Sequence, residues 1–248
     1  MRKDMHAFLA IWSDIAPDWA GEWYRWHTDE HMPERVGIPG FLAGRRYERI
    51  DDGPGREIPE DRRLQHCYMM YEGEKLTTFN SDAYLERLNN PTAWTREVAP
   101  GFKNFSRGAC QLKSSAGDGY GGVVLLLRFE EGAGADDLSA ATLESLDHFV
   151  ATLPGLAGVT AAHFGLCRPE ITDVETTEKK ARGATGEKKF QSVLMIEACD
   201  MNQLVMHAPA IMANLKAIGL PADGACYGFY ELTYLLTKRT TEQSNQIH

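Results

Sequence analysis

The amino-acid sequence predicts an α+β protein made of two tandem βαββαβ units of ferredoxin-like order, covering residues 1–115 and 116–248. The first observation behind this is an internal repeat: IPGF at 38–41 has a near-copy, LPGL, at 153–156. The second is that each copy comes after a helical pattern and before a strand pattern, and that an apolar strand lies at a similar sequence distance upstream of each copy. The third is the Gly/Ser-rich stretch 113–122, which fits a join between the units.

Each element follows from its residue pattern, with apolar or alternating strands between turn residues and helices of period 3.6. The first unit has, in order, the strand 6–12, the helix 18–32, the strands 42–50 and 64–72, a helix from 81 and the strand 108–113. The second has the strand 123–129, the helix 138–152, the strands 157–167 and 190–198, the helix 201–218 and the strand 225–236. The charged stretch 171–187 and the tail after Lys238 are expected to be mobile. Because strands such as 123–129 are apolar on both faces, we expect the two sheets to pack face to face as a pseudo-dimer within one chain.

Composition excludes several classes of protein. The chain has 248 residues, with 26 basic and 35 acidic ones, which gives a net charge of −9 at pH 7. That charge argues against binding to nucleic acids or anionic membranes, so neither is predicted as a partner. No apolar run approaches the roughly 20 residues of a membrane span, and the apolar N-terminal stretch is interpreted as a first strand and not a signal peptide. Five widely spaced cysteines without a CxxC pair indicate a reduced, cytoplasmic protein.

The helix that precedes IPGF carries the most informative side chains. At about 100° per residue, Trp23 and Trp26 fall on one stripe with Glu30 at its centre. The imidazoles of His27 and His31 continue the same face. A carboxylate desolvated by tryptophans is expected to have a raised pKa unless a cation compensates. Because a carboxylate and two imidazoles on one aromatic face suit proton transfer near neutral pH, Glu30, His27 and His31 are the predicted catalytic residues.

Two other interpretations of this helix stay open. The three residues could form a buried polar network that braces the turn before IPGF. The string from His27 to His31 also matches H-x-x-E-H, a zinc-binding pattern. Zinc is disfavoured because Pro33 interrupts the helix two residues later, because βαββαβ is the wrong scaffold and because no third ligand is evident. No metal and no other cofactor is therefore predicted.

The second copy indicates whether these residues are needed for folding. Aligning LPGL with IPGF places Thr142, Ser145 and Leu146 at the positions of His27, Glu30 and His31. The second helix thus has an ordinary apolar stripe where the first has polar and aromatic groups. Since one copy does without them, the fold does not require them, and we interpret the polar copy as functional.

Strand parity adds further candidates for a substrate pocket. Tyr47 lies on the opposite strand face from Arg46, while His66 and Tyr68 share one face of their strand. Trp94 is placed to cover the first unit. The predicted substrate-binding residues are Trp23, Trp26, Tyr47, Arg46, His66, Tyr68 and Trp94.

These residues resemble the W…EH.PER…IPGF..GRRY signature of EthD-like proteins in the dimeric α/β-barrel superfamily. The residues that match are Trp26, Glu30, His31, Pro33, Glu34, Arg35, Ile38, Pro39, Gly40, Phe41, Arg45, Arg46 and Tyr47. The match covers about the first 110 residues, and the second unit shows only the repeat. The resemblance implies an aromatic pocket between sheet and helices, with His31 at the end of the first helix as its main residue. Relatives include small lyases, lactone isomerases, polyketide cyclases and monooxygenases.

Three functions follow as hypotheses. The first is a cofactor-independent lyase, isomerase, dehydratase or decarboxylase acting on a small apolar, aromatic or polyketide-like molecule, with Tyr47 or Arg46 stabilising an oxyanion or carboxylate. The second is a non-catalytic protein that binds an aromatic ligand. The third is a haem protein of chlorite-dismutase-like architecture, with His163 as axial ligand and Arg168 or Arg182 on the distal side. A homo-oligomer is compatible with all three.

Overall fold

The chain forms a closed barrel of eight antiparallel strands. The computed structural model describes residues 4–183 and 187–238. The strands are β1 (Ala7–Ile15), β2 (Phe41–Arg49), β3 (Cys67–Gly73), β4 (Phe102–Ala116), β5 (Val123–Phe129), β6 (Val159–Cys167), β7 (Ser192–Ala198) and β8 (Cys226–Thr237). They follow the order β1-β3-β2-β8-β5-β7-β6-β4, and β4 pairs with β1 to close the barrel. The predicted α+β class is confirmed.

Helices connect the strands. The α-helices are α1 (Ala20–Trp26), α2 (Met32–Gly37), α3 (Asp82–Asn89), α4 (Ala93–Val98), α5 (Ala140–Thr152), α6 (Pro169–Thr172), α7 (Thr177–Ala181) and α8 (Met201–Ala217), and a π-helical turn (His27–His31) joins α1 to α2. Short 3-10 turns cover Pro17–Trp19, Gly53–Glu57, Glu60–Arg62, Leu76–Asn80, Ala99–Gly101, Leu153–Gly155 and Ala222–Gly224. Across residues 4–183 and 187–238, no helix combines the length and the apolarity needed to cross a bilayer.

The two halves of the barrel have the same strand order. It is β4-β1-β3-β2 in the first half and β8-β5-β7-β6 in the second. Two seams join the halves: β2 pairs with β8, with Arg46 opposite Tyr234, and β4 pairs with β6, with Cys110 opposite Cys167. Each strand has both neighbours within the chain, so the barrel closes without a second subunit.

Three apolar clusters divide the interior. One fills the lumen of the barrel and includes Phe8, Trp12, Tyr68, Met195 and Tyr230. The alternate residues of the same strands face outward. Those of the first half pack against helices α1 to α4, and those of the second half pack against α5 and α8. A side chain on the first helix can therefore reach only the outer face of the barrel wall.

Two segments differ from the sequence-based expectation. Strand β4 is long and runs to Ala116, through the first residues of the stretch 113–122 that was predicted to be a linker. The stretch 171–187, expected to be mobile, contains the end of α6 and all of α7, with residues 184–186 outside the described part. The expected mobility of the tail after Lys238 also falls outside the described residues.

One end of the lumen holds a buried ionic network. The Arg45 guanidinium donates to Glu72 Oε1 at 3.0 Å and to Glu197 Oε1 at 2.8 Å, and it also contacts the Tyr47 hydroxyl at 2.9 Å. Burial alone would raise the pKa of Glu197, but Arg45 and His163 outweigh it and hold that pKa at about 2. The loop after β4 covers this end, since the Gly121 amide donates to Glu197 Oε2 at 2.9 Å. This loop therefore caps the barrel as well as joining its halves.

Candidate active site on the outer face of the first half-barrel

A π-helical turn shapes the helix that carries the predicted catalytic residues. The amide of Met32 bonds to the carbonyl of His27, five residues back, instead of the usual four. Pro33, which has no amide hydrogen to donate, lies in the first turn of α2 directly after the π-helical turn, and the changed bonding pattern of that turn accommodates it. The helix therefore continues past Pro33 and does not end there. The extra residue in the turn places the His31 ring over Trp26, with 4.2 Å between ring centroids.

The two histidines line a small cavity between this helix and the outer face of the barrel. Their ring centroids are 5.6 Å apart. The cavity measures about 30 Å³, which is room for about one water molecule. Its lining residues are Ile11, His27, His31, Arg35, Met69, Tyr71, Tyr84, Phe102, Phe105, Arg107, Glu178 and Arg182. An aromatic ligand can occupy it only if some of these side chains move.

Both histidines are neutral at neutral pH. Burial lowers the pKa of His27 well below its usual 6.5, and the charges of Arg46 and Arg35 lower it further. Burial, Arg35, His27 and Arg182 likewise lower the pKa of His31. Nδ1 of His31 is buried and has no hydrogen-bond partner in residues 4–183 and 187–238. A neutral imidazole with an uncommitted nitrogen can exchange a proton with a molecule placed against it.

His27 is held more firmly than His31. Its Nδ1 lies 3.4 Å from the Arg46 guanidinium and its Nε2 lies 3.5 Å from the Tyr71 hydroxyl. The Trp23 ring stacks on it with 4.9 Å between centroids. Arg46 also donates to the Thr28 hydroxyl at 3.0 Å, which fixes the guanidinium. His27 is therefore suited to orienting its neighbour, and His31 is the better placed of the two to meet a ligand.

The neutral histidines make stability depend on pH. Because their folded-state pKa values lie below 6.5, the unfolded chain binds protons below pH 6.5 that the folded chain does not bind. Stability should therefore fall as pH drops below about 6.5, by up to roughly 1.4 kcal/mol per pH unit for each histidine. We expect the double variant His27→Gln/His31→Gln to lose much of this slope in urea titrations at pH 5 to 7. The exposed His148→Gln is the matched control, and equal slopes in both variants would contradict the prediction.

Glu30 does not join the histidine pair. Its carboxylate is only partly buried and accepts hydrogen bonds from the Thr92 hydroxyl at 2.6 Å and the Thr95 hydroxyl at 3.5 Å. Thr95 in turn accepts a bond from Trp26 Nε1 at 3.1 Å. The π-helical turn breaks the regular 100° spacing on which the central position of Glu30 was predicted. Glu30 thus ties the helix to α4 and supports Trp26, but it does not line the cavity.

The remaining predicted binding residues are spread over the molecule. Tyr47 and Tyr68 face the lumen, on the other side of the barrel wall from the histidines. His66 stands at a strand end with 40% of its side chain exposed, 3.4 Å from Asp51. Trp94 is partly exposed on α4 and donates to Glu22 at 2.8 Å. Of the predicted set, the structure brings together Trp23, Trp26, His27, His31 and Arg46.

Several cavity residues escaped the sequence analysis. Tyr71 lies on the opposite face of its strand from Tyr68, and that face was not considered for the pocket. Arg35 was named only as part of the PER motif, without a role in the pocket. Glu178 and Arg182 come from the charged stretch that was expected to be mobile. The only sequence signal for Tyr71 was strand alternation, because helices outside the barrel must contact the residues that alternate with those facing the lumen.

A larger cavity of about 730 Å³ opens at the other end of the barrel from the ionic network. Gln65, Arg128 and Cys226 are among its lining residues. Phe102, Phe105 and Arg182 line both this cavity and the small one. The two spaces are thus neighbours that share part of one wall.

The haem and zinc alternatives can be tested on geometry. His163 lies in the lumen, with Nδ1 3.0 Å from Ser115 Oγ and Nε2 3.3 Å from Glu197, and it lines neither cavity. A haem needs an open slot beside its axial histidine, so these residues do not fit one. The described residues contain no group of three or more His, Cys, Asp and Glu placed to hold a metal ion. The Glu30 carboxylate, the third member of the H-x-x-E-H pattern, is turned to Thr92.

Comparisons with known proteins bear on the fold. No family model matches the chain, and no curated protein does. Among solved structures, the chain is similar to an "anthrone oxidase-like protein", with 9% identity, a TM-score of 0.59 and coverage of 93% of this chain and 92% of that one. It is also similar to a "putative monooxygenase" from Fusobacterium nucleatum, with 10% identity, a TM-score of 0.56 and coverage of 94% and 95%. A third, a "putative monooxygenase" from Lactobacillus acidophilus, has 11% identity, a TM-score of 0.53 and coverage of 93% and 95%.

These likenesses cover nearly the whole of each chain. At such low identity they establish the architecture and not the chemistry. The chain shares the α+β barrel fold of these proteins.

Proposed function

We propose that the chain is a cofactor-independent enzyme that moves a proton on a small apolar, aromatic or polyketide-like molecule bound beside His31. The observation that carries this is the neutral, buried His31 imidazole, whose Nδ1 lacks a partner among the described residues, on the wall of an aromatic cavity. In this proposal His31 is the general base or acid, and His27 orients it. Trp23 and Trp26 hold the two rings in place. A lyase, isomerase, dehydratase or decarboxylase reaction fits these roles.

The surroundings of His31 favour a negative charge on the reacting molecule. Arg35 and Arg182 line the cavity and both lower the pKa of His31. The same positive field stabilises an enolate or similar anion formed when His31 takes a proton. We therefore assign the stabilisation of an oxyanion or carboxylate to these two cavity arginines. Tyr47 and Arg46, to which the sequence assigned it, face the lumen and His27 respectively.

A non-catalytic binding protein is the second candidate. A low pKa makes His31 a weaker base than an ordinary histidine. Both candidates predict an aromatic ligand at the same place, and they differ in whether His31 is needed for more than binding.

The proposal includes a duplicated fold. Its support is the shared strand order of the two halves together with the IPGF and LPGL copies. On this basis we infer a tandem ferredoxin-like duplication with units 1–115 and 116–248. The signature residues from Trp26 to Tyr47 support an EthD-like type, and the widely spaced cysteines without a CxxC pair support a cytoplasmic location. The first unit holds the site, and the second, in which Leu146 replaces His31, serves packing.

Proton transfer can be tested with anthrone, an aromatic ketone with an acidic methylene group. Under anaerobic conditions in D₂O, the wild-type protein should accelerate exchange of the methylene protons, followed by mass spectrometry. We expect His31→Gln to lose at least about 100-fold of this acceleration, because general acid–base catalysis contributes that much. His148→Gln, which alters an exposed histidine on α5, should leave it unchanged.

The same experiment separates the two candidates. If anthrone quenches tryptophan fluorescence equally in the wild type and His31→Gln, while neither protein accelerates exchange, the binding protein is supported instead. Equal acceleration in both proteins would remove His31 from the proposal.

A further inference from the structure

The cavity beside His31 already contains a carboxylate, contributed by the protein itself. Glu178, on α7, places one carboxylate oxygen on the Arg35 guanidinium and the other 2.8 Å from the Arg182 guanidinium. Both arginines are nearly fully buried. Glu178 is 143 residues from Arg35 in sequence and lies on a helix of only five residues, Thr177–Ala181. A short surface element therefore delivers this carboxylate to a site formed by the first half of the barrel.

The cavity carries more positive than negative charge. Its lining includes three arginines, Arg35, Arg107 and Arg182, against the single carboxylate of Glu178. Arg107 donates to the Tyr84 hydroxyl at 3.1 Å, and no carboxylate of the described residues lies within ion-pair distance of it. Nε of Arg182 is buried and lacks a hydrogen-bond partner within residues 4–183 and 187–238. Arg35 also pairs with Glu34 at 2.8 Å and Arg182 with Glu187 at 3.7 Å, so the capacity for a further anion lies with Arg107 and with Nε of Arg182.

The rest of the lining suits a planar ring. Phe102 and Phe105 meet edge to face, with 5.5 Å between their centroids, and both line the cavity. Arg182 lies over the Phe105 ring at 4.3 Å, so the cationic and aromatic parts of the wall are in contact. A ring held against these phenylalanines would have its substituents within reach of the arginines on one side and His31 on the other.

We propose that the ligand of this cavity is a small aromatic carboxylate, whose carboxylate takes the place of Glu178 on Arg35 and Arg182. This deepens the proposed function by naming its substrate class, and it rests on that function only for the reaction, not for binding. A guanidinium recognises a carboxylate through paired hydrogen bonds, which neutral aromatic molecules cannot supply. Exchanging one carboxylate for another keeps the buried charge constant. Glu178 can therefore leave without exposing an unpaired guanidinium, and its departure with α7 makes the room that the closed cavity lacks.

The test measures binding of 1-naphthoate and its uncharged analogue 1-naphthamide to the full chain by calorimetry. Wild-type protein should bind naphthoate at least tenfold more tightly than naphthamide. Glu178→Gln removes the competing carboxylate and should tighten naphthoate binding about tenfold, without a matching change for naphthamide. Glu175→Gln, an exposed glutamate just before α7, is the matched control and should change neither affinity.

A second variant keeps the proposal testable if Glu178→Gln does not fold. Arg182→Gln should weaken naphthoate binding about tenfold, since one of the two guanidiniums is lost. Naphthamide binding equal to that of naphthoate, or no response of naphthoate to either substitution, would overturn the proposal.

A wrong carboxylate assignment can be distinguished by experiment from a wrong proposed function. Naphthoate binding is expected to respond to Glu178 and Arg182, whereas proton exchange is expected to respond to His31. Anthrone has no carboxylate and reports only on proton transfer. If exchange depends on His31 but naphthoate does not respond to Glu178, only the carboxylate class is wrong.

Discussion

Replacing Arg45 by methionine should cost about 3–5 kcal/mol of folding stability, enough to leave a small protein close to unfolding. Arg45 is fully buried in the lumen and binds both Glu72 and Glu197. Without its guanidinium the two carboxylates would remain buried next to each other. The pKa of Glu197 would then rise from about 2, because the main charge that holds it there is gone. Urea denaturation followed by tryptophan fluorescence would measure the loss.

Two comparisons identify the cause of that loss. The triple variant Arg45→Met/Glu72→Gln/Glu197→Gln removes the charges together, so it should recover most of the stability lost by the single variant. Arg56→Met breaks an exposed ion pair with Asp52 and should change stability little. If Arg45→Met were no more destabilising than Arg56→Met, the buried network would not be what holds this end of the barrel together.

Leu146→Ala should destabilise the protein by about 2–5 kcal/mol, whereas His31→Ala, at the matching position of the first copy, should cost about 1 kcal/mol or less. Leu146 is fully buried in the apolar cluster behind α5, so its truncation leaves a cavity. His31 lines a cavity that already exists, and its Nδ1 has no partner among the described residues. Removing the ring therefore also removes an unsatisfied polar atom. Urea midpoints of the two variants at pH 7 provide the comparison.

The activity assay completes this contrast. Folded Leu146→Ala protein should keep whatever exchange activity the wild type has, while His31→Ala should lose it. Equal destabilisation of the two variants together with normal exchange for His31→Ala would show that the first helix is only a polar version of the second.

The strands could be predicted from sequence because their signal is local. Val123–Phe129 is apolar on both faces, and the strand 123–129 was predicted with the same bounds. The C-terminal extent of β4 could not be predicted, because its last residues, 114–116, are polar or small and are held by pairing with β6. Pairing across a seam is a tertiary effect that the local pattern of β4 does not contain.

The candidate site was predictable only in part, for two physical reasons. The π-helical turn adds a residue to one turn of the helix, so the regular 100° spacing predicted the wrong angular position for the Glu30 side chain. The rings of His27 and His31 are nevertheless neighbours, as predicted. Strand parity separates Tyr68 from Tyr71 but does not say which of them faces the helices. Glu178 reaches Arg35 from the other half of the chain, and nothing in its local sequence marks that contact.

The pairing of β2 with β8 has a consequence for how the chain is made. The N-terminal half leaves the ribosome first, with β2 and β4 as open sheet edges, and at typical rates the remaining residues need roughly 7–27 seconds. Strand β8, residues Cys226–Thr237, is the last of the eight to be synthesised, so the edge of β2 has no partner until then. Unpaired edges are sites where strands of other chains can add. We therefore expect nascent chains to be most prone to aggregation before β8 appears. Ribosome complexes stalled after residue 220 should sediment with aggregates more than complexes in which β8 has fully emerged.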